Sequence, residues 1–253
     1  MSRRGDYVSE LEKTPDQVTF LREHSGLPGP RGNLELMQAA ADVGDETSFR
    51  EWITVGSGGQ ATDEFLAMCG IVGFGRLVAE GGQDLMARLH AHASDPRWRV
   101  REAVAMALQR VGDSDTDLLF QIVRGWAEDR AYVQRAAVAA VSEPRLLKTD
   151  KASQAAVDLV DRVTSLIEGT RERRSDEFRV VRQALAYCWS VVVASNPQYG
   201  RPCMERWTRS PDPDVRWILR ENLKKARLLS LDPAWVGKLK NELGRPQTET
   251  TRE

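Results

Sequence analysis

Val100-Arg101-Glu102-Ala103-Val104-Ala105-Met106-Ala107-Leu108 returns in three variants within the second half of this 253-residue chain. The variants are Val133-Gln134-Arg135-Ala136-Ala137-Val138-Ala139-Ala140-Val141, Val181-Arg182-Gln183-Ala184-Leu185-Ala186-Tyr187-Cys188-Trp189 and Val215-Arg216-Trp217-Ile218-Leu219-Arg220-Glu221-Asn222-Leu223. Their leading valines lie 33, 48 and 34 residues apart, the spacing of two-helix units that stack on one another. Each unit has an apolar face too wide for its own two helices to bury, so its neighbours must cover it. No apolar alternation of strand length stands out. The expected fold is all-α, an α-α superhelix of stacked helix pairs.

Working outward, apolar residues at helical spacing pair each variant with a preceding helix. Leu85, Leu89 and Ala93 come before the first copy, and Leu118, Leu119, Ile122, Val123 and Trp126 before the second. Val157, Val160, Val163, Leu166 and Ile167 come before the third, and Met204 and Trp207 before the fourth. Residues 61–79 predict a long, mostly buried helix, in which Gly70, Gly73 and Gly75 each cost about 1 kcal/mol relative to alanine. Such glycines mark close helix approach, because the strand that would precede a phosphate-cradling loop is missing. Asn33 and Asp45 are expected N-caps, and two prolines and three glycines break the chain between Ser25 and Gly32. The organisation predicted is a partly disordered segment with one helix over residues 1–32 and a helical cap over 33–82. Repeats follow over 83–244, with a disordered tail over 245–253.

The turns Asp95-Pro96-Arg97-Trp98-Arg99-Val100-Arg101 and Asp212-Pro213-Asp214-Val215-Arg216-Trp217 resemble HEAT repeats. The resemblance covers roughly residues 83–230 and implies a HEAT-like solenoid whose Asp and Arg side chains join adjacent repeats in a hydrogen-bonded ladder. Trp126 ahead of Tyr132-Val133-Gln134-Arg135-Ala136-Ala137 is similar to the repeat of the DNA alkylation repair HEAT-like proteins. That family comprises glycosylases and non-catalytic relatives that hold DNA on a concave basic surface. The second copy departs from the pattern by placing Gln134 where the ladder arginine would be.

Composition excludes several classes of function. A net charge of −1 provides no global field for holding nucleic acid. The distribution is uneven, however: residues 1–93 carry 8 basic and 14 acidic side chains, and residues 94–253 carry 28 and 23. A net of −6 thus faces a net of +5, which fits either an anionic partner or contact between the halves. Arginines outnumber lysines 29 to 7, a bias that suits carboxylate and phosphate recognition but also follows from a GC-rich coding sequence. Cys69, Cys188 and Cys203 are an odd, widely spaced set, which predicts reduced thiols and a cytoplasmic protein. No secretory leader or membrane span is expected.

Catalytic and metal chemistry find little support. His24, His90 and His92 do not form a ligand set, because His90 and His92 face about 200° apart on a helix. Ser190 sits outside any nucleophile elbow. Asp95 with Trp98, Asp129 with Trp126 and Asp212 with Trp217 could supply a carboxylate and an aromatic plane for base excision. Each aspartate also reads as an N-cap, and each tryptophan as core. No catalytic residue, metal or cofactor is therefore expected.

The last copy is more suggestive. Arg216, Arg220, Lys224 and Arg227 would fall within an ~80° sector of one helix. The competing reading is a solvated face in which Arg216 is paired and the cations complement a helix C-terminus. The expected function is a non-enzymatic protein-interaction scaffold presenting Arg101, Arg135, Arg182, Arg216, Arg220, Lys224 and Arg227 to another protein. The alternative is a DNA-binding HEAT-like protein related to alkylation repair glycosylases.

Overall fold

The computed structural model describes residues 3–82 and 84–245, and among these residues all regular structure is helical. None of these helices is long and apolar enough to cross a membrane. The chain forms two compact units, residues 1–119 and 120–253.

The first unit contains α1 (Arg3–Leu11), α2 (Gln17–Glu23), α3 (Leu34–Val43), α4 (Glu46–Val55), α5 (Ala61–Ala79), α6 (Leu85–His92) and α7 (Trp98–Ser114). Here α1, α3, α5 and α7 pack side by side in that order, while α2, α4 and α6 lie against α5. Asp16, Asn33 and Asp45 cap α2, α3 and α4 by accepting from the Thr19, Leu36 and Ser48 N–H groups. Each cap satisfies an N–H that has no partner within its helix.

The glycines of α5 act as spacers. A β-carbon on Gly70 would lie 2.5 Å from the Phe49 carbonyl oxygen, and one on Gly73 would lie 2.4 Å from the Phe49 ring. At Gly75 it would sit 2.2 Å from the Ala107 carbonyl oxygen of α7. The pairings Glu64–Arg99 and Gly75–Ala107 show residue number rising together on α5 and α7, so the two helices run parallel.

The unit boundary falls inside α8 (Thr116–Ala127). The second unit continues with α9 (Ala131–Val141), α10 (Asp150–Gly169), α11 (Asp176–Ser195), α12 (Pro197–Arg206), α13 (Pro213–Asn222), α14 (Ala226–Leu231) and α15 (Pro233–Gly244). α9, α11 and α13 form one series of neighbours, and α10 and α12 pack on each other and on α11. Arg182 pairs with Asp214, and Ser190 with Asn222, so α11 and α13 also run parallel. Val100, Val133, Val181 and Val215 are all fully buried, as equivalent core positions require.

The N-terminal expectations need correction. Residues 3–11 are helical, because distant partners hold a segment that looks frayed locally. Arg4 grips Asp42 through two 2.7 Å hydrogen bonds, Tyr7 Oη accepts from Asn33 Nδ2, and Leu11 is buried. Two helices, α1 and α2, therefore occupy the segment expected to carry one. Residues 33–82 carry α3, α4 and α5. Of the predicted tail, residues 246–253 lie outside the described residues.

Candidate anion-binding face

The four cations expected on one helix are divided among three elements. α13 ends at Asn222, Lys224 and Lys225 lie in the following turn, and Arg227 belongs to α14. The fully buried Asn222 side chain sits at this helix end. Its Nδ2 donates to the Leu185 and Ile218 carbonyls at 2.8 Å, and its Oδ1 accepts from the Ser190 N–H at 2.8 Å. The amide thus ties the end of α13 into the middle of α11. The extended backbone at Lys225 then redirects the chain into α14.

Arg216 is not presented to a partner. It is buried, and its Nη2 donates to the Leu243 carbonyl at 2.5 Å, while Nη1 donates to the Thr208 carbonyl at 3.2 Å. Carbonyls at the end of α15 have no partners within the helix, so a buried guanidinium satisfies them. Burial, followed by the nearby Arg220 charge, holds the Arg216 pKa below its ordinary value. Arg220 shares the Leu243 carbonyl at 3.0 Å but is otherwise exposed.

Arg182 is likewise occupied. Its Nε lies 2.7 Å from Asp214 Oδ1, an ion pair without the alignment of a directed hydrogen bond. Its guanidinium carbon lies 3.7 Å from the centroid of the Trp217 ring. Asp214 and the buried Asp212 are both held by Arg173, whose pKa is raised chiefly by the Asp212 hydrogen bond. Arg182 thus meets Asp214, whereas the cap residue Asp212 meets Arg173. In the first unit Arg101 donates to the Asp95 and Pro96 carbonyls, at 2.6 and 2.9 Å, ahead of its own helix. Arg135 is half-buried on α9 beside the buried Val133 and Ala136.

Of the expected set, Arg220 and Lys224 are exposed, while Arg227 is half-buried, as is the neighbouring Lys225. Lys224 is neutralised locally by Glu221 at 2.5 Å. Lys225 and Arg227 instead converge on Tyr187, which is 45% exposed on α11. Arg227 Nη2 donates to Tyr187 Oη at 2.6 Å, with its guanidinium carbon 4.8 Å from the ring centroid. Lys225 Nζ lies 5.6 Å from the same centroid. No protein-family model matches this chain, and no curated protein matches it significantly.

Tyr187 was not foreseen as a site residue. It occupies the seventh position of the third copy, where the first two copies have Met106 and Ala139. The polar departure was visible in the sequence, but its partners 38 and 40 residues away were not. Among the described residues, no group of three or more His, Cys, Asp or Glu side chains could hold a metal ion.

Proposed function

We propose that this chain is a HEAT-like α-solenoid that works as a non-enzymatic protein-interaction scaffold. In this reading the helix pairs of both units are successive repeats. The alternate-helix packing of each unit and the four buried valines support it. The partner is an anionic protein received on the α11–α13–α14 surface. The free cysteines fit the cytoplasmic setting that belongs to the same proposal.

One observation carries the functional part: exposed Tyr187 is flanked by Lys225 and Arg227, and neither cation is ion-paired among the described residues. Arg4, Arg110, Arg162, Arg173 and Arg206 all meet carboxylates. Positive charge left without a carboxylate beside an exposed aromatic is available to a partner, and aromatic and Arg side chains are enriched where proteins meet.

Retention of the full chain on immobilised polyglutamate and on duplex DNA, measured across a salt series, tests the proposal. Binding to polyglutamate at low salt, weakening as salt rises, is expected. Retention by DNA alone would transfer the reading to a DNA-binding relative of the alkylation repair proteins. Retention by neither would overturn it.

A further inference from the structure

We infer that Tyr187, Lys225 and Arg227 form an oxyanion cradle that receives one acidic side chain, carboxylate or phosphorylated, from a peptide segment of the partner. This inference rests on the proposed anionic partner and assigns it a point of attachment. Tyr187 Oη already accepts a 2.6 Å hydrogen bond from Arg227, which leaves its own O–H proton to donate outward. Arg227 carries five N–H donors and uses one on Tyr187, so others remain for an incoming oxygen. Lys225 adds three donors on an ammonium 5.6 Å from the ring centroid. Three donor groups of matching polarity thus surround one exposed ring, and none of their protons is taken by a carboxylate among the described residues.

The local chemistry favours a peptide over a nucleic acid backbone. A strand would require a track of cations to follow its phosphates. Along this surface, however, Arg216 is buried, Arg182 is paired with Asp214 and Lys224 with Glu221. What is left is Arg220, which already donates to the Leu243 carbonyl, and a compact charge with an apolar ring at its centre. That matches one acidic side chain with an apolar neighbour lying against the tyrosine, and charge-assisted hydrogen bonds to an oxyanion are the strong ones.

The test uses fluorescence anisotropy on the full chain with two labelled peptides, one alternating glutamate with serine and one in which the serines are phosphorylated. Unlabelled oligothymidylate serves as a competitor. The intact protein should bind at least one peptide at low salt, and a preference between the two identifies the oxyanion. Arg227→Gln and Lys225→Gln should each weaken binding about tenfold. Tyr187→Phe, which keeps the ring and loses the hydroxyl, should weaken it about threefold. All three variants should stay folded with at most a small loss of stability, because Tyr187 is exposed and Lys225 and Arg227 are only half-buried and lack ion pairs among the described residues.

If a peptide binds and the three variants bind it equally well, the cradle is overturned while the wider anionic-partner reading stands. If only oligothymidylate binds, the peptide assignment is overturned. If no probe binds, the cradle is again overturned, and the polyglutamate salt series decides separately whether the wider reading survives.

Discussion

Arg182 on α11 and Trp217 on α13 form a stacked pair between neighbouring helices, the guanidinium carbon 3.7 Å from the ring centroid. The same arginine meets Asp214 at 2.7 Å, so one side chain makes two distinct contacts with the next helix. Both members of the ion pair are largely shielded from water, which preserves an attraction that full exposure would weaken. Arg182→Ala should destabilise the fold by about 1–3 kcal/mol, the combined scale of an ion pair and a cation–π contact. Denaturant unfolding measures this. A double-mutant cycle with Asp214→Ala should give a non-zero coupling, and strict additivity would contradict the contact.

Asn222 makes a sharper case, because its amide is fully buried and serves both helices. Asn222→Leu would fill similar space but leave the Ser190 N–H without that acceptor. A loss of about 1–3 kcal/mol is expected for such an unsatisfied buried group. Hydrogen exchange at the Ser190 amide should accelerate in this variant. Unchanged exchange and unchanged stability would contradict the role assigned to Asn222.

Two glycines should respond in opposite directions. Gly75→Ala would force a β-carbon to 2.2 Å from a backbone oxygen of α7, which cannot yield as a flexible side chain could. Destabilisation of about 1–3 kcal/mol is expected. Gly125 lies exposed inside α8, with nothing within 4 Å of an added β-carbon. Gly125→Ala should therefore stabilise by about 0.5–1 kcal/mol. Thermal melts of the pair measure the contrast, and equal effects would contradict the spacer reading of α5.

Acid should act through Asp212. Burial favours its neutral form, but the Arg173 guanidinium and the Val215 N–H outweigh burial and hold the carboxyl below its ordinary value. A group with a depressed folded pKa contributes stability above its unfolded pKa, about 3.9 for aspartate, and loses that contribution as pH falls through the folded value. Stability should therefore drop below about pH 4. Asp212→Asn should lower stability at neutral pH and flatten the acid limb. Melting temperatures across pH check this, and a limb as steep as the parent's would assign the acid sensitivity to other groups.

Much of the helical layout was legible because it is written locally. Asn33 and Asp45 cap the helices they were expected to cap, and residues 61–79 form the expected helix. The four valines that open the sequence copies are all buried. What was not legible depends on distant partners. α1 is held by Asp42 and Asn33, which local hydrophobicity cannot reveal. The basic stripe looked continuous because no Gly or Pro interrupts residues 214–231. The helix stops at Asn222, whose amide is bound to α11, and the backbone is extended at Lys225. Arg216 is drawn inward by carbonyls at the end of α15, residues that no repeat spacing connects to it.

The central claim separates arginines that hold the stack from cations that meet a partner, and paired measurements on Arg182→Ala and Arg227→Gln test it most directly. Each variant is melted and then titrated with the acidic peptides at a temperature where it is folded. The account predicts that Arg227→Gln, which loses one hydrogen bond to Tyr187, melts within about 1 kcal/mol of the parent yet binds weakly. It predicts that Arg182→Ala melts early yet binds like the parent while folded. The opposite pattern, in which Arg182→Ala loses binding at full stability and Arg227→Gln binds normally, would contradict it.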